Sequence, residues 1–389
     1  MKLTNVSIIS SAALMRVFGL ASSWVYTSVY MYEVLGIPLY LVGIIYTVSG
    51  VIAASSQVYG GRLGDRFGYR RIILTTFFLG TFSYGSLFFV TSSGNFPVLV
   101  SSLFIIGQTL SSIQRPSSNA LLALSSNKPL RSFSFLRVGA NIGWGIGPAA
   151  GGFVIFFLGY PSIYAMGAIM SLVSGAFVLK LEDRRPEVIE KKSPKLSSLP
   201  IAFIIIGVSG MLLFMVQAQE SVTLANYASS IRHLYTSELG FIYMANGLSV
   251  LAFQGIAYRI SSRISLTTSF VIGSLIYSFG YFTMSFDTVL PAFLLSMAFI
   301  SLGEDFAFPM GNVIVSKLYG DRNTGFYMGV YNAFLSFGRS MGPALGGFAL
   351  GYLASPYEIW LMVTLPGFLS AVIFYSRFSG TFRKDSLSI

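Results

Sequence analysis

The chain has 389 residues, of which 54% are hydrophobic and only 10% charged, whereas a soluble domain needs roughly 25% charged residues to cover its surface. That shortage excludes a soluble globular enzyme and assigns much of the surface to lipid. The net charge of +11 does not indicate nucleic acid, because it gathers in short connectors; with no cysteine and a single histidine, His233, disulfides, thiolate nucleophiles and histidine metal clusters are excluded.

Twelve apolar stretches of near-spanning length follow along the chain, at 8–32, 39–60, 70–92, 96–124, 131–157, 161–181, 199–225, 237–257, 266–286, 290–316, 324–352 and 358–377. Each can cross a hydrocarbon layer of ~30 Å as a helix. Runs this long are not the alternating ten-residue strands of a barrel. Arg16 interrupts the first run and no small-residue cleavage site follows, so this run is expected to be a span and not a signal peptide. Of the 25 Lys and Arg residues, 20 fall in connectors on one side and only Arg232 on the other; Arg16, Arg115, Arg137 and Arg339 lie within spans. The positive-inside rule then places both termini in the cytoplasm of a multi-pass plasma-membrane protein. The polar stretch 182–198 divides the spans six and six. Six-helix bundles are therefore expected at 1–181 and 199–389, joined by a cytoplasmic linker at 182–198.

One small-residue signature occurs twice. Gly143, Gly147, Pro148, Gly151 and Gly152 read G-x-x-x-G-P-x-x-G-G, and Gly338, Gly342, Pro343, Gly346 and Gly347 repeat it 195 residues later, as 338 − 143. Glycines at this spacing let helix backbones approach closely, and each proline removes one backbone hydrogen bond and favours a bend. A repeat at half the chain length indicates a duplicated bundle, with the halves related by an axis along the membrane normal.

Between the second and third spans stands Gly61-Arg-Leu-Gly-Asp65-Arg66-Phe-Gly68-Tyr69-Arg70-Arg71. Gly61 and Gly68 suit a tight turn and close helix approach, and the basic residues suit headgroup contact. The stretch resembles the cytoplasmic signature of the major facilitator superfamily, G-x-L-x-D-R-x-G-R-R, with Tyr69 where a base is usual. That resemblance implies an all-α fold of twelve transmembrane helices in two pseudo-symmetric six-helix bundles. It also implies a conformational latch built from Gly61, Asp65, Arg66, Gly68 and Arg70. In the matching loop of the second half, Gly255 to Arg263, Arg259 stands roughly where the aspartate would be. The Gly143–Gly152 segment resembles the fifth-span signature of the drug:proton antiporters in this superfamily, though such segments also serve simply as packing and hinge elements. Gln217-Ala-Gln219-Glu220 and Gly303-Glu304-Asp305 resemble segments of multidrug-efflux and peptide-uptake members. The arginine of the usual fourth-span R-x-x-x-G pattern is replaced by Leu103, ahead of Gly107.

Ionisable side chains inside a bilayer cost about 2.5–3.5 kcal/mol each on insertion scales and should face a cavity or a partner. Glu304 and Asp305 fall near mid-membrane, with Glu220 nearer the outer end of its span. Glu304 is the first candidate for proton coupling, and Asp305 is either a structural partner, of Arg339 for example, or a second coupling group with Glu220. Both Glu304 and Asp305 being structural is the alternative. Arg115 is the leading charged candidate for substrate contact, and Gln217 is a further candidate for the substrate cavity. Arg16 and Arg137 either snorkel to the cytoplasmic face or pair inside. Trp24, Tyr26 and Tyr30 either line a binding surface or serve as packing and interfacial anchors.

These readings converge on a secondary transporter working by alternating access. No G-x-x-x-x-G-K-[ST] motif binds a nucleotide, and no polar catalytic cluster indicates an enzyme. Proton-coupled efflux of amphipathic organic molecules or drugs is the preferred function. Proton-coupled uptake of a small metabolite or peptide is the alternative, and a non-transporting membrane sensor a remote one. The expected partners are a small-molecule substrate, protons and the bilayer, for a monomer without cofactor, metal or nucleic acid.

Overall fold

The computed structural model describes residues 5–125, 129–182 and 199–379. Nearly all of the predicted linker, from 183 to 198, and both extreme termini lie outside the described residues. In the first half, α1 covers Asn5–Val29 and widens into a last turn at Tyr30–Val34. It is followed by α2 (Leu39–Phe67), α3 (Tyr69–Ser93), α4 (Pro97–Leu124), α5 (Pro129–Leu158) and α6 (Pro161–Val178). In the second half, α7 (Ile201–Gln217) tightens at Ala218–Glu220 and leads through the short α8 (Thr223–Asn226) to a wide turn at Tyr227–Ile231. Then come α9 (Thr236–Ser261), α10 (Leu266–Thr283), α11 (Leu290–Tyr352) and α12 (Pro356–Phe378). No strand occurs among the described residues. In lipid every backbone N–H and C=O must be satisfied within the chain, and helices do this locally.

Local chemistry sets the helix ends. Proline opens α4, α6 and α12, where a missing N–H costs nothing. Many span hydroxyls bond the carbonyl one turn earlier, as Thr27 does to Ser23 at 2.7 Å and Thr76 to Ile72 at 2.8 Å, so they add no unsatisfied group. Eleven helical segments among the described residues are long and apolar enough to cross a membrane. The predicted eleventh span, 324–352, is the second leg of α11. That 63-residue element doubles back on itself. A Cβ on Gly311 would collide with the Tyr331 hydroxyl, although 20 residues of straight helix would hold the two positions about 30 Å apart.

Two expectations about the basic motif need correction. It is not a loop, because α2 continues through Phe67 and only Gly68, at φ +96°, separates α2 from α3. Nor does Gly61 permit close approach, since its nearest neighbour for a Cβ is Pro116 at 4.0 Å. Gly60 and Gly64, against Ile113 and Ser117 of α4, have no room for a side chain.

The chain divides into two compact units, Met1–Ile189 with Ala225–Met244 and Glu190–Leu224 with Ala245–Ile389. Ala225–Met244 joins the first unit through specific bonds. Asn226 Nδ2 donates to Ser28 Oγ at 3.2 Å, and the Tyr26 hydroxyl reaches the Thr236 carbonyl at 3.1 Å. A core of Ile8, Ile73, Phe77, Leu121 and Val178 ties α1, α3, α4 and α6 together.

Each unit is organised by one copy of the glycine signature. In the first, an added Cβ on Gly143, Gly147 or Gly151 of α5 would strike the backbone of α1 at Leu14, Phe18 or Ser22. In the second, Gly338, Gly342 and Gly346 of α11 meet Met211, Met215 and the side chains of Gln219 and Thr223. The partners correspond as the glycines do: Phe18 with Met215, Ala21 with Ala218 and Ser22 with Gln219 are each 197 residues apart, as 215 − 18, 218 − 21 and 219 − 22. Gly147→Val and Gly342→Val are each expected to destabilise the protein by about 1–3 kcal/mol or more through overpacking, read as a lower melting temperature in detergent. Gly85→Ala, where an added Cβ meets nothing within 4 Å, should leave it unchanged. Equal melting temperatures for all three would show that these glycines do not set the helix spacing.

Candidate functional site

The second unit concentrates polar groups at mid-span depth. Beyond Gln217 the helix α7 tightens into a three-residue turn, Ala218–Glu220, although Ala, Gln and Glu are good helix formers. Such tightening within a span marks a hinge or a functional position. Gln219 holds the turn together. Its Nε2 donates to the carbonyls of Met215 at 2.7 Å and Gly342 at 3.1 Å, while its Oε1 accepts from Thr223 Oγ1 at 2.5 Å. The turn thereby fixes Gln217 and Glu220 against neighbouring helices.

Glu220 is buried, and its Oε1 accepts a bond from the Tyr281 hydroxyl of α10 at 3.4 Å. It is therefore not a group at an open mouth. Glu304, on the first leg of α11, is half-buried and accepts from Asn246 Nδ2 of α9 at 3.4 Å. The same Asn246 amide donates to Ser301 Oγ at 3.1 Å, one turn earlier on α11. Arg339, on the second leg, donates through Nε to Gln217 Oε1 at 2.9 Å and lies 4.8 Å from the ring centre of Phe214. Glu220 lies within electrostatic reach of both Glu304 and Arg339.

The suggested pairing of Asp305 with Arg339 is not formed. Gln217 and Phe214 orient the guanidinium instead, and Asp305 Oδ2 is buried with no hydrogen-bond partner among the described residues. Adjacent residues on a helix project about 100° apart, so Asp305 and Glu304 meet different neighbours. Aromatic rings complete the surroundings: Phe214 stacks on Phe308 at 4.7 Å, and Tyr281 on Trp360 at 6.0 Å. Glu220, Glu304 and the Arg339 guanidinium, with apolar rings beside them, form one cluster of ionisable groups within the spans of this unit.

The first unit presents a different arrangement. Trp24 packs on Trp144 and Tyr46, at ring distances of 5.6 and 6.0 Å. Tyr26 is fully buried, its hydroxyl reaching the Pro148 carbonyl at 2.6 Å as well as that of Thr236. Tyr30 is buried against Tyr160 and Tyr164. Tyr26 and Tyr30 are enclosed by these neighbours, while Trp24 is only half-buried. Tyr160, in the connector after α5, donates to Glu33 Oε2 at 3.3 Å; burial and then the nearby Glu33 carboxylate push its hydroxyl above the ordinary tyrosine range, so it remains a donor. Arg115 and Arg137 are exposed on α4 and α5. Arg16 turns inward to α4, donating through Nη1 to Ser111 Oγ at 3.0 Å.

At the start of α3, Tyr69 reaches back to α2, its hydroxyl donating to Asp65 Oδ1 at 2.6 Å. Arg70 Nη2 donates to the Leu179 carbonyl at 2.6 Å, tying α3 to the end of α6, and Arg66 lies 5.3 Å from the ring centre of Phe67. Sequence reasoning gave no role to Gln219, Asn246, Tyr281, Ser111 or Gln114. A lone amide at mid-span was a usable signal for Asn246 and Gln114, because a buried amide without a partner costs about 1–3 kcal/mol.

A family model described as Major Facilitator Superfamily matches residues 9–218 and again 201–386. Among curated relatives, the chain is 24% identical over 343 residues to YttB of Bacillus subtilis (strain 168), described as an uncharacterized MFS-type transporter, with 85% of each chain covered. It is 21% identical over 370 residues to the multidrug resistance protein MdtH of Blochmanniella floridana, covering 90% of this chain and 89% of that one. Among solved structures, a POT family transporter in complex with a thioalcohol-conjugated peptide superposes with a TM-score of 0.77 at 17% identity, over 97% of this chain and 96% of the other. At that identity the likeness is one of fold.

Replacing Gln219 by Leu would leave the Gly342 carbonyl and the Thr223 hydroxyl without their partner. Gln219→Leu is expected to cost about 1–3 kcal/mol, measured as a drop in melting temperature. An unchanged melting temperature would mean that the turn at Ala218–Glu220 does not rely on this side chain.

Proposed function

The chain belongs to the major facilitator superfamily of membrane transporters, and from that premise we propose that it exports amphipathic organic molecules in exchange for protons. The observation that carries this reading is the set of carboxylates within the spans of the second unit: Glu220 lies within electrostatic reach of Glu304 and Arg339, and Asp305 adjoins Glu304 in the chain. A carboxylate at bilayer depth is costly and is kept where an ion or substrate pathway needs it. The aromatic faces of Phe214 and Phe308 beside it suit flat apolar molecules. The relatives named for multidrug resistance support the same substrate class.

In the proposed cycle Glu304 is the first proton carrier and Glu220, buried under Tyr281, the second. A proton and a cationic substrate compete for the same negative charge, so arrival of one releases the other. Arg339, fixed by Gln217, keeps the site from holding two cations at once. The halves 1–181 and 199–389 rock as two six-helix bundles that open the site alternately to either side. Asp65, held by Tyr69, acts with Arg66 and Arg70 as a latch on one state, and Pro148 and Pro343 provide bends beside the glycine contacts. The protein works as a monomer in the plasma membrane, with both termini cytoplasmic.

Proteoliposomes with an imposed pH gradient and ethidium as probe test this. The wild type should accumulate ethidium until the gradient is collapsed. Glu304→Gln should reduce accumulation to the level of empty vesicles while sparing ethidium exchange at equal pH, because only the coupled step needs the titrating group. Accumulation at the wild-type rate in both Glu304→Gln and Glu220→Gln would remove these carboxylates from the coupling mechanism.

A further inference from the structure

The first unit carries its intramembrane charge with one sign. Arg16, Arg115 and Arg137 lie within helices α1, α4 and α5, whereas its described acidic residues, Glu33, Asp65, Glu182 and Glu238, lie at helix ends or in connectors. Arg16 is the innermost of the three. Its guanidinium bonds Ser111 Oγ at 3.0 Å and makes no ion pair among the described residues. Arg115 lies close enough to add repulsion. Holding a guanidinium at this depth without a counter-charge costs several kcal/mol.

Arg16 opens onto a cavity of about 30 Å³ within this unit, lined by the backbones of Gly80, Gly107 and Gly167 and by Tyr84, Ser111 and Gln114. That is room for one or two waters or for a small ion. Other nearby hydroxyls are already committed: Thr76 bonds the carbonyls of Ile72 and Ile73, and Ser171 that of Phe77. Gln114 is different. It is 4% exposed, its Nε2 bonds Ser118 Oγ at 2.7 Å, and its Oε1 has no hydrogen-bond partner. The two ends of a glutamine amide are interchangeable in such a setting. Exchanged, the oxygen accepts from the Ser118 hydroxyl and the NH2 group becomes the end without a partner, on a residue that lines the cavity.

A guanidinium without a carboxylate, an amide able to donate and a space one ion wide make a site for negative charge. We propose that this cavity binds a small monovalent anion, either chloride or the carboxylate head of an organic acid, held by Arg16 with Gln114 and Ser111. The anion supplies the counter-charge that the helices of this unit lack. The site is separate from the carboxylates of the second unit, so its existence does not depend on proton coupling.

The test is the melting temperature of the purified full-length protein in detergent, at constant ionic strength, as sulfate is replaced by chloride or by acetate. A saturable rise with either monovalent anion is expected, and none with sulfate, which is divalent and too large. Arg16→Gln should abolish the dependence. Gln114→Leu and Ser111→Ala, which keep the fold if Arg16→Gln does not, should raise the half-saturating concentration about tenfold, equivalent to about 1.4 kcal/mol. A response to chloride alone identifies a resident inorganic ion, and one to acetate alone the head of an organic acid; either supports the site. A response absent altogether, equal for sulfate, or unchanged in both Gln114→Leu and Ser111→Ala would overturn it.

Discussion

Helix α5 lies against α1, and the second leg of α11 against α7, at a distance that only glycine permits. At Gly143, Gly147 and Gly151, and again at Gly338 and Gly342, the nearest facing surface is backbone or a side-chain Cβ, and at Gly346 it is the polar groups of Thr223 and Gln219. In lipid there is no hydrophobic gain from bringing two apolar helices together, so association depends on close van der Waals packing and on bonds between helices. The glycine faces supply the first. They also bring the carbonyl of Gly342 within reach of Gln219, which supplies the second. The tight turn that presents Glu220 and Gln217 therefore depends on a packing device more than one hundred residues away in sequence.

Charge is distributed unequally over this scaffold. The second unit sets Glu220 and Glu304 near Arg339 with aromatic rings beside them, while the first carries arginines alone within its helices. In the cycle and the site proposed above, an external ion completes each arrangement, a proton or an organic cation in one case and a small anion in the other. Such an ion would turn charge placed within a span, costly on insertion, into binding capacity. Amides recur beside the charges. Asn246 bonds Glu304, Gln217 bonds Arg339, and Gln114 lies beside Arg16. A neutral amide orients a charged group without cancelling it.

Much of the architecture was legible in the sequence because few structures satisfy a chain so poor in charge. The spans followed from apolar length, and the repeated glycines from the one physical use such a face has inside lipid. The ends of helices were less legible. The run Gly61–Arg71 looks like a loop by polarity, yet α2 continues to Phe67, because a basic helix end is as stable at the headgroups as a loop is. Partners were hardest to foresee. Glu220 with Tyr281 and Arg16 with Ser111 depend on how each helix is rotated about its axis. A soluble helix reveals its rotation by having one apolar face, but a membrane helix is apolar all round and hides it. For the same reason Tyr26 and Tyr30 read equally well as cavity or packing residues, and only the geometry shows their rings and hydroxyls enclosed.

Competition between a proton and a cationic substrate for one set of carboxylates has a direct signature that needs no membrane. Ethidium added to the detergent-solubilised protein in weakly buffered solution near neutral pH should release protons in proportion to the ethidium bound. The release should fall when Glu304 or Glu220 is replaced by Gln. Saturable ethidium binding with no proton released at any pH between about 5 and 9, the range in which a coupling carboxylate has to titrate, would contradict proton-coupled exchange at this site.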